Sequence, residues 1–184
     1  MALETLKDAV EARGPYAVWD LMDEEERREA AAATWNAADA ETRSLVQAAM
    51  ARELKFRPQT VRKLPAAKVS GRLAQVAKDL PENVLFQFLF HHHMENRRPL
   101  LVEFLDAVGL PHEEGVLDLP EDAAPPEEAK VRKAAEALLA AHGTRGLVYL
   151  ATLFVADPEF WAGLGPVLAA HDPEGSPVSG EGGA

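Results

Sequence analysis

Three adjacent histidines, His91, His92 and His93, are the first residues whose type suggests chemistry, because neutral imidazole is a common metal ligand. Consecutive residues of a helix point about 100° apart, so the three rings cannot share one ion. His91 with Glu95, at i,i+4, offers one ligand pair, and His112 a distant third, which makes these three the weak metal candidates. No second helical segment supplies the His-x-x-x-His or Glu-x-x-His pattern of helical-bundle metal sites. The run therefore predicts a polar end to a buried helix, one ring packed inside, and no metal or other cofactor. Ser44, Ser70, Ser176 and Ser179 lack a nucleophile-elbow context, and no glycine loop matches a phosphate cradle; Gly71 is isolated. The absence of cysteine excludes disulfides, thiolate nucleophiles and cysteine-ligated zinc. Carboxylates are plentiful, but they lie in solvated acidic runs rather than in apolar pockets that would shift a pKa. The expectation is a protein that is not an enzyme.

Charge is more informative than motif. The chain's formal net charge is −11, from nineteen basic and thirty acidic residues. Residues 1–51 hold five basic and eleven acidic side chains, and residues 79–184 six and eighteen. Residues 52–78 are the opposite: eight basic side chains (Arg52, Lys55, Arg57, Arg62, Lys63, Lys68, Arg72 and Lys78) against the single acid Glu53, a net of +7. Such a block in an acidic chain is either neutralised internally by neighbouring acidic helices or left as a surface for an anionic partner. On the second reading the partner is a protein with an acidic face, or nucleic acid. A protein partner would call for an exposed apolar patch beside the basic block.

Within the block, residues 50–64 read Met-Ala-Arg-Glu-Leu-Lys-Phe-Arg-Pro-Gln-Thr-Val-Arg-Lys-Leu. Ala51 is a small residue where two helices can cross, and Leu54, Phe56, Val61 and Leu64 are spaced as apolar contacts between them. This segment resembles the helix-turn-helix of bacterial DNA-binding proteins. The resemblance implies a second helix starting at Arg57 or Pro58, with proline acceptable in a first turn. Arg57, Gln59, Thr60 and Lys63 would then face the major groove, and Arg52, Arg62 and Arg72 would meet phosphates. Three features depart from the pattern: Lys55 stands where glycine is usual, Pro65 ends the second helix early, and the first helix begins as far back as Asp39. The resemblance covers fifteen residues and extends to no whole family.

The elements that must position these residues are helical. Alanine, leucine and glutamate dominate and β-branched residues are sparse, so propensity favours helix nearly throughout. Apolar spacing predicts helices from Leu3 to Gly14, over Tyr16–Met22, from Asp23 to Trp35, from Asp39 to Leu54, and from Ala66 to Leu80. A helix from Pro81 through Phe90 is apolar nearly all round and is expected to be the buried central one. Pro99 opens a helix that Gly109 closes. Helices from about residue 127 to Gly143, from Thr144 to Phe154 and from Asp157 to Leu168 follow. The fold class is all-α, a compact bundle of eight or nine short helices, with solenoid-like helix pairs an open variant. Residues 1–108 form the main bundle, and 109–126 an acidic, proline- and glycine-rich loop pinned by Val116, Leu117 and Leu119. Residues 127–171 form a helical hairpin on the bundle, and 172–184 a disordered tail. Met1 to Arg13 reads as an amphipathic helix rather than a leader, and no apolar run is long enough to span a membrane, so the expected location is the cytoplasm. The sequence thus points to a non-catalytic interaction protein using residues 52–78, with a DNA-binding protein using 50–64 as its alternative and metal-dependent activity at His91–His93 as a third. The candidate binding residues are Arg52, Lys55, Arg57, Gln59, Thr60, Arg62, Lys63, Lys68 and Arg72.

Overall fold

A computed structural model describes residues 5–53, 55, 57–120 and 122–178. Among them stand eleven α-helices: α1 (Leu6–Arg13), α2 (Pro15–Leu21), α3 (Glu24–Ala37), α4 (Ala40–Glu53), α5 (Pro58–Arg62), α6 (Ala66–Val76), α7 (Glu82–Asn96), α8 (Arg98–Val108), α9 (Glu128–His142), α10 (Thr144–Ala156) and α11 (Gly165–Ala169). The protein is all-α, as its composition requires. A two-residue antiparallel pair, β1 (His112–Glu113) with β2 (Val116–Leu117), is the one sheet among the described residues. No described helix is long and apolar enough to cross a membrane.

The chain packs as two units. One is built from Met1–Met22 and Arg98–Ala184, the other from Asp23–Arg97. The second is therefore an insertion into the first, with the divisions at 22/23 and 97/98.

In the first unit, Thr5 opens α1 with a capping box: its hydroxyl accepts from the Asp8 N–H, and the Asp8 carboxylate accepts from the Thr5 N–H, both at 3.2 Å. Gly14 ends α1 and starts α2, and Gly143 does the same between α9 and α10, with nearly the same backbone angles, φ 54, ψ −133 and φ 55, ψ −131. Only glycine adopts that region without strain, so both corners are written in the sequence. The core gathers around Phe104 of α8, whose ring meets Tyr149 edge-on at 5.7 Å and Trp161 at 5.8 Å.

The final apolar segment differs from expectation. It is not one helix from Asp157. The Asp157 carboxylate accepts from the Phe160 N–H at 2.9 Å and holds a turn, then a 3₁₀ turn runs over Ala162–Leu164, and α11 begins only at Gly165. The reason is a close approach: a Cβ on Gly163 would lie 2.8 Å from the Glu128 carbonyl oxygen and 2.9 Å from its Cα. Gly163→Ala is accordingly expected to cost about 1–3 kcal/mol through overpacking against backbone that cannot yield, read as a lowered urea midpoint without loss of helix content.

The 109–126 segment also departs from its reading as a plain loop. Glu114 (φ 49) and Gly115 (φ 89) make a two-residue turn that pairs β1 with β2. Val116 points to solvent, so only Leu117 and Leu119 of the expected anchors are half-buried. Beyond α11 the described chain runs on to Val178. Asp172 accepts from the N–H groups of Glu174 and Ser176, each at 2.9 Å, and Val178 N–H donates to the Ala170 carbonyl at 2.8 Å.

In the Asp23–Arg97 unit, α3 is the centre. Its buried Ala30, Ala31 and Ala33 give a smooth surface on which α6 and α7 both pack, while α4 packs on α5 and α6. Helix α7 buries Val84, Leu85, Phe88, Leu89, His92 and His93. It is not apolar-buried all round: Phe90 is 49% exposed and Phe86 half-buried, so one face of α7 is at the surface.

Candidate functional site

The basic block lies on α4, α5, α6 and their connections, all within the inserted unit. Counted by unit, most of the block's +7 is offset by acidic residues of its own unit. The Asp23–Arg97 unit carries twelve basic and eleven acidic residues, a net of +1, and the other unit seven and nineteen, a net of −12.

Helix α4 ends at Glu53, and Lys55 then sits in the left-handed region at φ 52. A lysine there costs roughly 1–2 kcal/mol relative to a relaxed backbone. The turn geometry that the helix-turn-helix resemblance calls for is thus present, without the glycine that would make it cheap. Arg57 is the N-cap of α5 in extended conformation (φ −70, ψ 141), and Pro58 follows at the first helical position. The helix stops after five residues at Arg62, because Pro65 two residues beyond Lys63 cannot continue it. Of the predicted apolar contacts, Val61 is buried and Leu64 half-buried; Leu54 and Phe56 lie outside the described residues. Ala51 is half-buried.

The candidate residues separate clearly. Arg52, Lys55, Arg57, Gln59, Thr60, Lys63, Lys68 and Arg72 are all exposed, and only the side chain of Arg62 lies outside the description. Internal neutralisation does not account for them. Arg52 meets its own neighbour Glu53 at 2.8 Å, but Lys55, Arg57, Lys63 and Lys68 form no ion pair with any described residue. Arg72 donates to the Gln75 side-chain oxygen at 3.2 Å, one turn further along α6. From residue 54 to residue 78 there is no acid in the sequence at all. Chemically, these exposed cations are able to hold negative charge. Gln75 was not singled out by sequence; its spacing from Lys68 and Arg72 was the available signal.

The histidine run resolves differently. Among the described residues no group of three or more His, Asp or Glu side chains could hold a metal ion. His91 is half-buried, and burial lowers its pKa against the opposing pull of Glu95. His112 is engaged elsewhere: its Nδ1 accepts from the Gly115 N–H at 3.2 Å, closing the hairpin turn, and its Nε2 faces Asp106 at 3.2 Å. His92 and His93 are both buried, one ring more than the sequence suggested, with centroids 5.4 Å apart. Beside them Glu26 and Glu29 come from α3, and Arg97 from the end of α7. Arg97 donates to Glu29 at 2.9 Å and lies 3.7 Å from Glu26; His92 Nδ1 stands 4.0 Å from Glu29. Burial, then the charges assigned to His92 and Arg97, push the His93 pKa down to about 3. His93 is thus neutral at ordinary pH, and this cluster is an internal clasp between α3 and α7. Nothing local in the sequence reports the pairing of Arg97 with Glu29 across 68 positions. Arg98 pairs with Glu114 at 3.0 Å.

No protein-family model matches this chain, and no curated protein or solved structure matches it either.

Proposed function

We propose that this chain is a non-catalytic interaction protein that binds another macromolecule, of negative charge, through the exposed cations of residues 52–78. The observation that carries the reading is the state of Lys55, Arg57, Lys63 and Lys68. They are exposed, they have no ion-pair partner among the described residues, and they lie in a stretch without an acid. Cations held close together on one unit repel one another unless solvent or a partner neutralises them, and a polyanion does so with release of its own counterions. The rest of the chain, at −12, repels polyanions and so confines docking to this surface.

Retention on immobilised heparin at about 50 mM salt, as a sequence-free polyanion, tests this. The chain is expected to bind despite its acidic pI and to elute as salt rises. The variant Lys55→Gln/Arg57→Gln/Lys63→Gln/Lys68→Gln is expected to flow through. Flow-through of the unaltered protein at low salt would overturn the reading.

A further inference from the structure

We infer that the anionic partner is duplex DNA, and that α6, rather than the short α5, is the helix laid against it, with Lys68, Gly71, Arg72 and Gln75 as the contacting stripe. The inference rests on the polyanion-binding reading above and narrows it.

Helix α6 has two faces set by its spacing. Val69, Leu73 and Val76, at i, i+4 and i+7, are buried. Lys68, Arg72 and Gln75 share an exposed stripe about a quarter of a turn round the helix from the buried one, with the half-buried Gly71 at its edge, three residues after Lys68 and four before Gln75. A glycine inside a helix costs about 1 kcal/mol relative to alanine. Packing does not explain it at Gly71, because nothing lies within 4 Å of where its Cβ would stand. The fold tolerates a side chain there. What glycine supplies is closeness, since any body resting on this stripe can approach the α6 backbone between Lys68 and Arg72. Arg72 and Gln75, already joined by a hydrogen bond, present a planar pair of donors and an amide at that point, the groups that reach phosphates and base edges.

The choice of partner follows from what the surface lacks. A protein interface is anchored by large apolar or aromatic side chains. The exposed large apolar residues of the inserted unit are Leu45 on α4 and Phe90 on α7, and α5 and α6 show none among their described side chains. A single strand is held by stacking its bases on aromatic rings; the one aromatic residue of the block, Phe56, lies outside the described residues, and α5 and α6 contain none. A duplex needs neither. It asks for cations at phosphate spacing and a helix slim enough to enter a groove, which the major groove of B-form DNA admits and that of A-form RNA does not.

The test is fluorescence anisotropy of the full chain with a labelled DNA duplex of about 20 base pairs, at about 50 and 200 mM salt, beside a duplex RNA of equal length. With Lys55, Arg57, Lys63, Lys68 and Arg72 each on a phosphate, affinity for DNA is expected to fall roughly five-hundredfold across that range, and the RNA duplex to bind more weakly. Gly71→Leu changes no charge and meets open space, so heparin retention should persist while duplex affinity drops at least about tenfold. Lys68→Gln/Arg72→Gln should shallow the log–log salt slope by about two, a readout that does not depend on how Gly71→Leu folds. Unchanged duplex binding by Gly71→Leu, or equal affinity for the RNA duplex, would overturn the inference. Heparin retention without duplex binding would overturn it while leaving the polyanion reading intact, and failure on heparin would remove both.

Discussion

Replacing Arg97 by methionine is expected to destabilise the Asp23–Arg97 unit by about 3–5 kcal/mol. The side chain of Arg97 is only 16% exposed and that of Glu26 only 4%. Methionine keeps most of the aliphatic stem, so packing is largely preserved and the change isolates the charge. What remains is Glu26 and Glu29, three residues apart on α3, beside the buried histidine pair and without the guanidinium. The Asp23 N–H still reaches Glu26 at 3.3 Å, which places the expected cost toward the lower end of that range. The pair is also placed where it matters for the chain path. Glu26 lies in the first turn of α3 and Arg97 caps α7, so one ion pair joins the beginning and the end of the inserted segment. Urea denaturation at pH 7.5 measures the loss. The double variant Glu26→Gln/Arg97→Met should regain a large part of it, since the penalty of a broken buried pair is mostly the orphaned charge. A loss below about 1 kcal/mol for Arg97→Met would show that solvent already screens the clasp.

Some of this architecture was readable from local spacing and some was not. The corners at Gly14 and Gly143 were legible, because each depends on residues within one or two turns. The clasp was not: Glu26 reads locally as a helix cap, and only the packing of α3 on α7 turns it toward Arg97. Helix α7 was misjudged for a related reason. Its apolar residues run nearly all round, yet α3 covers a single face, and Phe90 is left outside. The small hairpin at 112–117 hid in a proline-rich acidic stretch because Glu114, a residue with no turn preference, takes one of its two left-handed positions. At the candidate surface, sequence located the basic segment and the Lys55 turn, but it weighted α5. That helix is cut short by Pro65, and the weight of the argument passes to α6, whose isolated Gly71 had no meaning until the space above it was known.

Acid should weaken the same clasp, beginning well above the range in which carboxylates titrate. In the native protein His93 is 3% exposed, and its pKa is driven down to about 3 by burial first and by the neighbouring His92 and Arg97 charges next. In the unfolded chain it returns to about 6.5. The unfolded state therefore binds a proton that the folded state refuses, so stability is full above pH 6.5 and declines as pH falls from there toward 3. The limiting slope is about 1.4 kcal/mol per pH unit, which amounts to a loss of about 2 kcal/mol between pH 7.5 and pH 5 from this residue. His91, lowered in the same direction by partial burial, adds to it with the same sign. The charged groups facing the pair are Glu26 and Glu29 from α3 and Arg97 from the end of α7. Urea denaturation at pH 7.5 and pH 5.0 should show it in the unaltered protein and lose most of it in His93→Leu, whatever the absolute stability of that variant. An equal decline in both proteins would mean that His93 accepts its proton in the folded state. Arg97→Met separates the causes further. With the guanidinium gone, one of the three influences holding His93 neutral is removed, its native pKa rises, and the acid-dependent loss should level off at a higher pH than in the unaltered chain.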